Sequence, residues 1–372
     1  MSPACRIRSQ PRSASSASGR NSPWVSEIRP RIMAPAYPAA PARNGSAFVA
    51  RPAMCEHGPS GNHLMKRETF QHRLPDGTQA CVHRWLPARA RAVVQIVHGM
   101  AEHGARYERY AQALTGAGFA VYAQDLPGHG RSVRNADELG HFADQDGWAR
   151  TLSAINGVRA LAEQELQRLP HFMFGHSMGS FLLQDYVVEH GRDLAGAVFS
   201  ATSGDLGPLR VIGLNLLRVE AAWFGGRHRS ALAEMLTFKD FNRRFRPART
   251  PFDWLSRDPA EVDLYVRDSR CGFRCSAALW ISLMEMGGRL GDQGRLARIP
   301  KDLPVLVIAG SDDPACQGEK GPRALESHYR KAGLGEVAVR IWDGGRHELL
   351  NDLCRDEVTA ELLGWFGQKL DS

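Results

Sequence analysis

Ser177 stands at the centre of Gly175-His176-Ser177-Met178-Gly179, directly after the short apolar run Phe172-Met173-Phe174 and before a helix-like run from Phe181 to Val188. A serine on such a strand-to-helix turn has its hydroxyl lifted clear of the sheet. The residues two positions either side must be small, because neighbouring backbone approaches too closely for side chains. The hydroxyl becomes a nucleophile only with a base to take its proton and a carboxylate to hold that base. His347, in Asp343-Gly344-Gly345-Arg346-His347-Glu348, follows a strand-like run and is the base this pattern favours. His98, His103, His129, His171 and His176 lie at positions suited to hydrogen-bonded scaffold roles, and His328 falls inside a predicted helix. For the acid, Gly310-Ser311-Asp312-Asp313-Pro314 offers two adjacent carboxylates that cannot both face the base, with Asp205 a remote third. A tetrahedral oxyanion would need two N–H donors, and the backbones of Met178 and Met100 are the natural pair. Loss of one such donor typically costs about 3 kcal/mol.

These residues need elements that bring them together. From residue 80 the chain alternates short β-branched runs (Ala80–Trp85, Ala92–Val97, Phe119–Gln124, His171–Phe174, Ala195–Ser200, Pro304–Ala309, Val337–Trp342) with helical ones (Arg106–Ala117, Trp148–Arg168, Ser177–His190, Gly321–Ala332, Arg355–Leu370). Near-continuous apolar strands alternating with helices predict an α/β fold, with a mainly parallel sheet covered by helices on both faces. Such sheets bind ligands at the carboxyl ends of their strands, which is where the loops bearing Met100, Ser177, Asp313 and His347 fall. The alternation breaks at about 203–296, which reads as a helical cap inserted before the penultimate strand. Its first part, Pro208–Phe224, predicts a helix with Arg210, Asn215 and Arg218 on a polar stripe and Leu209, Ile212, Leu216, Val219 and Trp223 elsewhere. Asp144 is a candidate N-cap for the helix that follows it.

Charge points away from nucleic acid. The formal net charge is +7, but residues 1–53 hold eight arginines and one acid, leaving 39 basic and 39 acidic residues in 54–372. Residues 1–60, rich in Arg, Ser and Pro, read as a disordered tail or an over-extended gene model. An organelle-targeting role is the remaining possibility for that tail. No run approaches the roughly 18 apolar residues of a spanning helix, and a cytoplasmic enzyme is expected. The seven cysteines are scattered, and Cys271-x₃-Cys275 lacks zinc-knuckle spacing, so no metal or other cofactor is expected.

Taken together, His98-Gly99-x-x-Glu102-His103, Asp125-x-Pro127-Gly128-His129-Gly130-x-Ser132, Gly175-His176-Ser177-Met178-Gly179, Gly310-Ser311-x-Asp313 and Gly344-Gly345-Arg346-His347-Glu348 resemble the α/β-hydrolase superfamily in both residues and order. The branch resembled is that of monoacylglycerol lipases and lysophospholipases, also labelled serine aminopeptidase S33-like, over about residues 65–370. The last motif is closer to bacterial lysophospholipase-like members than to animal lipases. The resemblance implies Ser177 as nucleophile, Asp313 as acid, His347 as base, and Met100 and Met178 as oxyanion donors. It implies a serine hydrolase of lipid-like monoesters, monoacylglycerol or lysophospholipid, with transient membrane contact through the cap. Cap arginines (Arg210, Arg218, Arg227, Arg229, Arg243, Arg244) would suit a phosphate headgroup. Cap acids (Glu220, Glu234, Asp253, Asp258, Glu261, Asp263) keep a prolyl-iminopeptidase-like reading open. A non-catalytic scaffold is the third reading. Oligomeric state is not legible.

Overall fold

The computed structural model describes residues 65–371; the expectations for the tail 1–60 fall outside them. Eight strands form one sheet: β1 Lys66–Arg73, β2 Gln79–Leu86, β3 Ala92–Val97, β4 Phe119–Gln124, β5 His171–His176, β6 Gly196–Ser200, β7 Val305–Gly310 and β8 Val337–Trp342. Their order is β1-β2-β4-β3-β5-β6-β7-β8. β1 and β2 are antiparallel additions at one edge, and every pairing from β4 to β8 is parallel. β3 to β7 are buried along their whole length, as their continuous apolar sequences require of strands covered on both faces.

Helices α1 Glu108–Gly116, α2 Gly147–Glu165 and α3 Met178–His190 connect the first half of the sheet. The insertion between β6 and β7 carries α4 Leu209–Phe224, α5 Ala231–Leu236, α6 Phe238–Asn242, α7 Pro259–Arg267, α8 Ala277–Gly287 and α9 Gln293–Leu296. α10 Lys320–Lys331 and α11 Arg355–Asp371 complete the chain. Because successive strand residues face opposite sides, Phe172 and Phe174 join the layer under α1 and α11, with Leu114, Leu362 and Phe366. Met173 between them joins the layer under α3 and α10, with Leu183, Tyr186, Leu325 and Tyr329.

Two local expectations need correction. β1 was not foreseen, because Lys66-Arg67-Glu68-Thr69-Phe70-Gln71-His72-Arg73 buries neither face fully. It is held instead by continuous pairing with β2, by Arg84 bridging Glu68 and Glu165, and by that guanidinium over the Phe70 ring. Asp144 does not cap α2; its carboxylate is drawn to His141 Nε2 at 3.1 Å and to Arg227 of the insertion. The residue that precedes α2 is Asp146, whose side chain makes no cap bond.

The helix expected at Pro208–Phe224 is α4, and the structure settles which of its faces is inward. Arg210 donates to the Met284 carbonyl, and Arg218, itself half exposed, pairs with Glu285, so two residues of the polar stripe reach α8. A guanidinium on carbonyls in the last turn of a helix satisfies acceptors that have no intrahelical partner. Leu214 and Leu217 are buried beside it, while Leu209, Ile212, Leu216, Val219 and Trp223 turn outward, with Trp223 80 % exposed.

Candidate active site

Four loops at the carboxyl ends of β3, β5, β7 and β8 converge on Ser177. Its backbone sits at φ 52°, ψ −120° between β5 and α3. That region is disfavoured for any residue with a Cβ and costs on the order of 1–3 kcal/mol, so surrounding structure must enforce it. Here Ser177 N–H donates to the Ser200 carbonyl at 2.9 Å, and Ser180 Oγ donates to the Ser177 carbonyl at 2.6 Å. The flanking glycines are sterically required. A Cβ on Gly175 would lie 2.6 Å from the Gly179 carbonyl oxygen, and one on Gly179 would overlap the Val97 and His98 carbonyls.

His347 Nε2 lies 2.9 Å from Ser177 Oγ, and His347 Nδ1 lies 2.9 Å from Asp313 Oδ2. A carboxylate can only accept here, so the Nδ1 proton points at Asp313 and Nε2 is left to accept the serine hydroxyl. Burial alone would raise the Asp313 pKa. The His347 ring, the Cys316 thiol at 3.1 Å and the Ala315 N–H at 2.9 Å outweigh it and hold the carboxyl below its ordinary value. Burial would likewise lower His347, but Asp313, helped by Glu348 and Glu102, raises it above the usual imidazole value. Of the two adjacent carboxylates, Asp313 is buried and Asp312 exposed. Asp205 is in a surface turn, where it accepts the Gly207 N–H.

Met178 opens α3, where the first N–H groups of a helix have no intrahelical acceptor. Met100 follows Gly99, whose N–H donates to Glu102 Oε1 at 2.6 Å. The other histidines are bound into scaffold. His98 links the Gly99 carbonyl to Leu126 N–H, His129 donates to the Pro127 carbonyl, and His103 meets Asp268 at 2.8 Å. His171 contacts Gln95, and His328 lies against Gly291. His176 contacts Ser200 and lies beside His347, with ring centroids 4.9 Å apart; burial and the His347 charge push its pKa down to about 4.

Several contacts had no sequence signal. The Trp254 ring lies 4.7 Å from that of His347, and Glu348 N–H donates to the Leu255 carbonyl at 2.8 Å. Cys316 was one of seven scattered cysteines, and Arg106 was unmarked among many arginines. Among the described residues, two three-residue groups have metal-type donors, Cys81/His83/Asp125 and His103/Asp268/Cys271. Both carboxylates are already engaged: Asp125 accepts Gly104, Arg131 and His83, and Arg270 forks onto Asp268. Burial also pushes the Cys81 thiol up to about 12, away from the thiolate a metal needs.

A family model described as serine aminopeptidase, S33, matches residues 88–354. The chain belongs to this family. The S33 match spans every loop described above, and the protein is a serine-hydrolase-type α/β-hydrolase of the monoglyceride-lipase-like branch. It is 25 % identical to human monoglyceride lipase over 306 residues, covering 79 % of this chain and 88 % of that one. It is 24 % identical to an uncharacterized abhydrolase domain-containing protein of Dictyostelium discoideum, of which it spans only 28 %. Among solved structures, a thermostable carboxyl esterase from Bacillus coagulans in complex with glycerol superposes at a TM-score of 0.76 with 26 % identity, covering 82 % of this chain and 100 % of that one. A soluble variant of yeast monoglyceride lipase superposes at 0.63 with 18 % identity, over 83 % and 96 %, a likeness of fold. For an S33 member of this branch the non-catalytic scaffold reading gives way to a hydrolase. No described helix is long and apolar enough to cross a membrane.

Proposed function

We propose that the protein hydrolyses lipid-like carboxylic monoesters through an acyl-enzyme on Ser177. His347 takes the hydroxyl proton as Oγ attacks the ester carbonyl, and Asp313 holds the imidazolium that forms. Met100 and Met178 N–H groups receive the oxyanion. His347 then protonates the leaving alcohol, and water repeats the sequence to free the acid. The observation carrying this reading is the unbroken hydrogen-bonded line from Ser177 Oγ through His347 to Asp313, on a serine held in a strained turn.

Two features favour a neutral ester over the alternatives. The cap arginines offered for a phosphate are largely occupied: Arg210 by Met284, Arg218 by Glu285, Arg227 by Asp144, Arg229 by the Asp137 carbonyl and Arg243 by Asp240. Monoacylglycerol therefore suits the cap better than lysophospholipid. The acids a peptidase would use for an α-amino group are occupied as well. Glu220 meets Ser230, Glu234 meets Arg274, Asp258 meets Arg355, Glu261 meets Arg109, and Asp253 and Asp263 meet Arg249. The outward apolar face of α4 is the part of the cap suited to a lipid surface.

Hydrolysis of p-nitrophenyl esters of short, medium and long chain, wild type beside Ser177→Ala, tests the reading. Turnover peaking at medium or long chains and abolished by Ser177→Ala supports it. Cleavage of amino-acid arylamides in preference to every ester would replace it with the peptidase.

A further inference from the structure

We propose that Arg106 is a positioning residue that fastens the oxyanion-donor loop to the base loop, gripping Glu102 on one side and Glu348 on the other. The proposal rests on the roles given above to Ser177, His347 and Met100. Arg106 Nη1 donates to Glu102 Oε2 at 2.6 Å and to Glu348 Oε1 at 2.7 Å, while Nη2 donates to Glu348 Oε2 at 2.7 Å. All three side chains are nearly sealed from solvent, at 11 %, 4 % and 8 % exposure for Arg106, Glu102 and Glu348.

Each carboxylate in turn fixes one loop of the site. Glu102 Oε1 accepts the Gly99 N–H at 2.6 Å and the Tyr107 hydroxyl at 2.9 Å. Gly99 is pressed against the nucleophile, so that a Cβ on it would lie 3.2 Å from Ser177 Cβ. Where Glu102 holds Gly99 therefore decides where the next N–H, that of Met100, stands relative to Ser177. On the other side Glu348 is bonded through the chain to His347, and Asn351 Nδ2 donates to its Oε2 at 3.0 Å. The guanidinium lies 4.8 Å from the centroid of the Tyr265 ring, whose hydroxyl donates to the Ala101 carbonyl at 2.9 Å. Three carboxylate oxygens on two side chains suit the fork of an arginine; a lysine offers one compact charge and cannot span them.

The charge count has a consequence that a purely structural tie would not have. His347 faces Asp313, Glu348, Glu102 and the His176 ring, and the three carboxylates all favour its protonated form. The groups around Arg106 are Glu102, Glu348, the Cys271 thiol and the Tyr107 and Tyr265 rings, so its single positive charge is what offsets the two glutamates. Without that charge His347 holds its proton to higher pH, and a base must be unprotonated to act.

The test is the pH dependence of kcat and kcat/KM on p-nitrophenyl esters for wild type, Ser177→Ala, Arg106→Lys, Arg106→Met and Glu348→Gln. Misplacing a reacting group by about 1 Å can cost on the order of 10²-fold. Accordingly Arg106→Lys is expected to lose 10- to 100-fold, roughly, in kcat with KM changed by less than about threefold. In Arg106→Met the acid limb of kcat/KM moves up by about one pH unit, and in Glu348→Gln, which keeps the side-chain volume, it moves down. If Arg106→Met does not fold, Glu348→Gln carries the test alone. Wild-type kcat and an unmoved acid limb in Arg106→Lys and Glu348→Gln overturn the proposal. Full activity in Ser177→Ala would instead overturn the reading beneath it.

Discussion

Replacing Asp313 by Asn exchanges one oxygen for an NH₂ group in a sealed site, and the structure dictates which way the new amide must lie. Oδ1 accepts the Ala315 N–H at 2.9 Å, so that position calls for the amide oxygen. The NH₂ group then takes the place of Oδ2, facing His347 Nδ1 at 2.9 Å and the Cys316 sulfur at 3.1 Å. Nδ1 must now accept, the imidazole proton moves to Nε2, and the base points a proton at Ser177 when it should be receiving one. The flipped amide would restore the tautomer but would set its NH₂ against the Ala315 N–H, leaving a buried donor unpaired at about 1–3 kcal/mol. A base trapped in the wrong tautomer is expected to lower kcat about 10⁴-fold, equivalent to about 5.5 kcal/mol in the barrier. Pre-steady-state release of p-nitrophenol reads the acylation step directly, with thermal unfolding run beside it to confirm an unchanged fold. Asp313→Asn within tenfold of wild type, or a comparable loss in Asp312→Asn, would refute the assignment.

Because Asp313 raises the His347 pKa, kcat/KM should fall with decreasing pH through a value above the ordinary imidazole value of about 6.5; a pH–rate profile centred below that value would contradict the geometry. Cys316→Ala removes the thiol donor on Asp313 and should cost about 1 kcal/mol, or roughly fivefold in kcat. Cys316→Ser should recover most of it, as steady-state kinetics will show. The paired change Val219→Asp with Trp223→Asp should reduce sedimentation with monoglyceride-bearing vesicles while leaving hydrolysis of a dissolved short-chain ester within about twofold, since neither side chain is buried in the fold. Unaltered vesicle binding would assign that face another role.

What was legible in the sequence follows from what each residue must satisfy locally. β3 to β7 announced themselves because strands buried on both faces have no polar alternation to confuse them. The turn at Ser177 was legible because Gly175 and Gly179 are steric necessities. Asp313 could not be separated from Asp312 by chemistry alone; the register of the motif distinguished them, and in the structure only Asp313 is buried. β1 was hidden because its stability comes from pairing and from Arg84, neither of which leaves an apolar pattern. α4 was legible as a helix but not in its orientation. Periodicity identifies two faces of a helix without saying which is inward, and here the burial of Leu214 and Leu217 beside the Arg210 contact to α8 sets it. Arg106 was invisible, since its partner Glu348 lies 242 residues away in the chain.

The contacts of the insertion are unevenly shared, and that bears on how a substrate reaches Ser177. Its middle stretch is bound into the site itself. Leu255 pairs with Glu348, and Arg346 donates to the Asp253 and Ser256 carbonyls. Arg257 meets Asp352, and the Ala101 carbonyl accepts both the Tyr265 hydroxyl and the Gly272 N–H. Shifting those residues would move the base and the oxyanion loop with them. α4 has no such tie; Arg210 and Arg218 attach it to α8, and its outer face carries Leu209, Ile212, Leu216, Val219 and Trp223 into solvent. A displacement of α4 would thus leave the hydrogen-bonded line from Ser177 to Asp313 in place. Under the proposed function, α4 is also the helix whose exposed apolar side chains would gain from contact with a lipid surface.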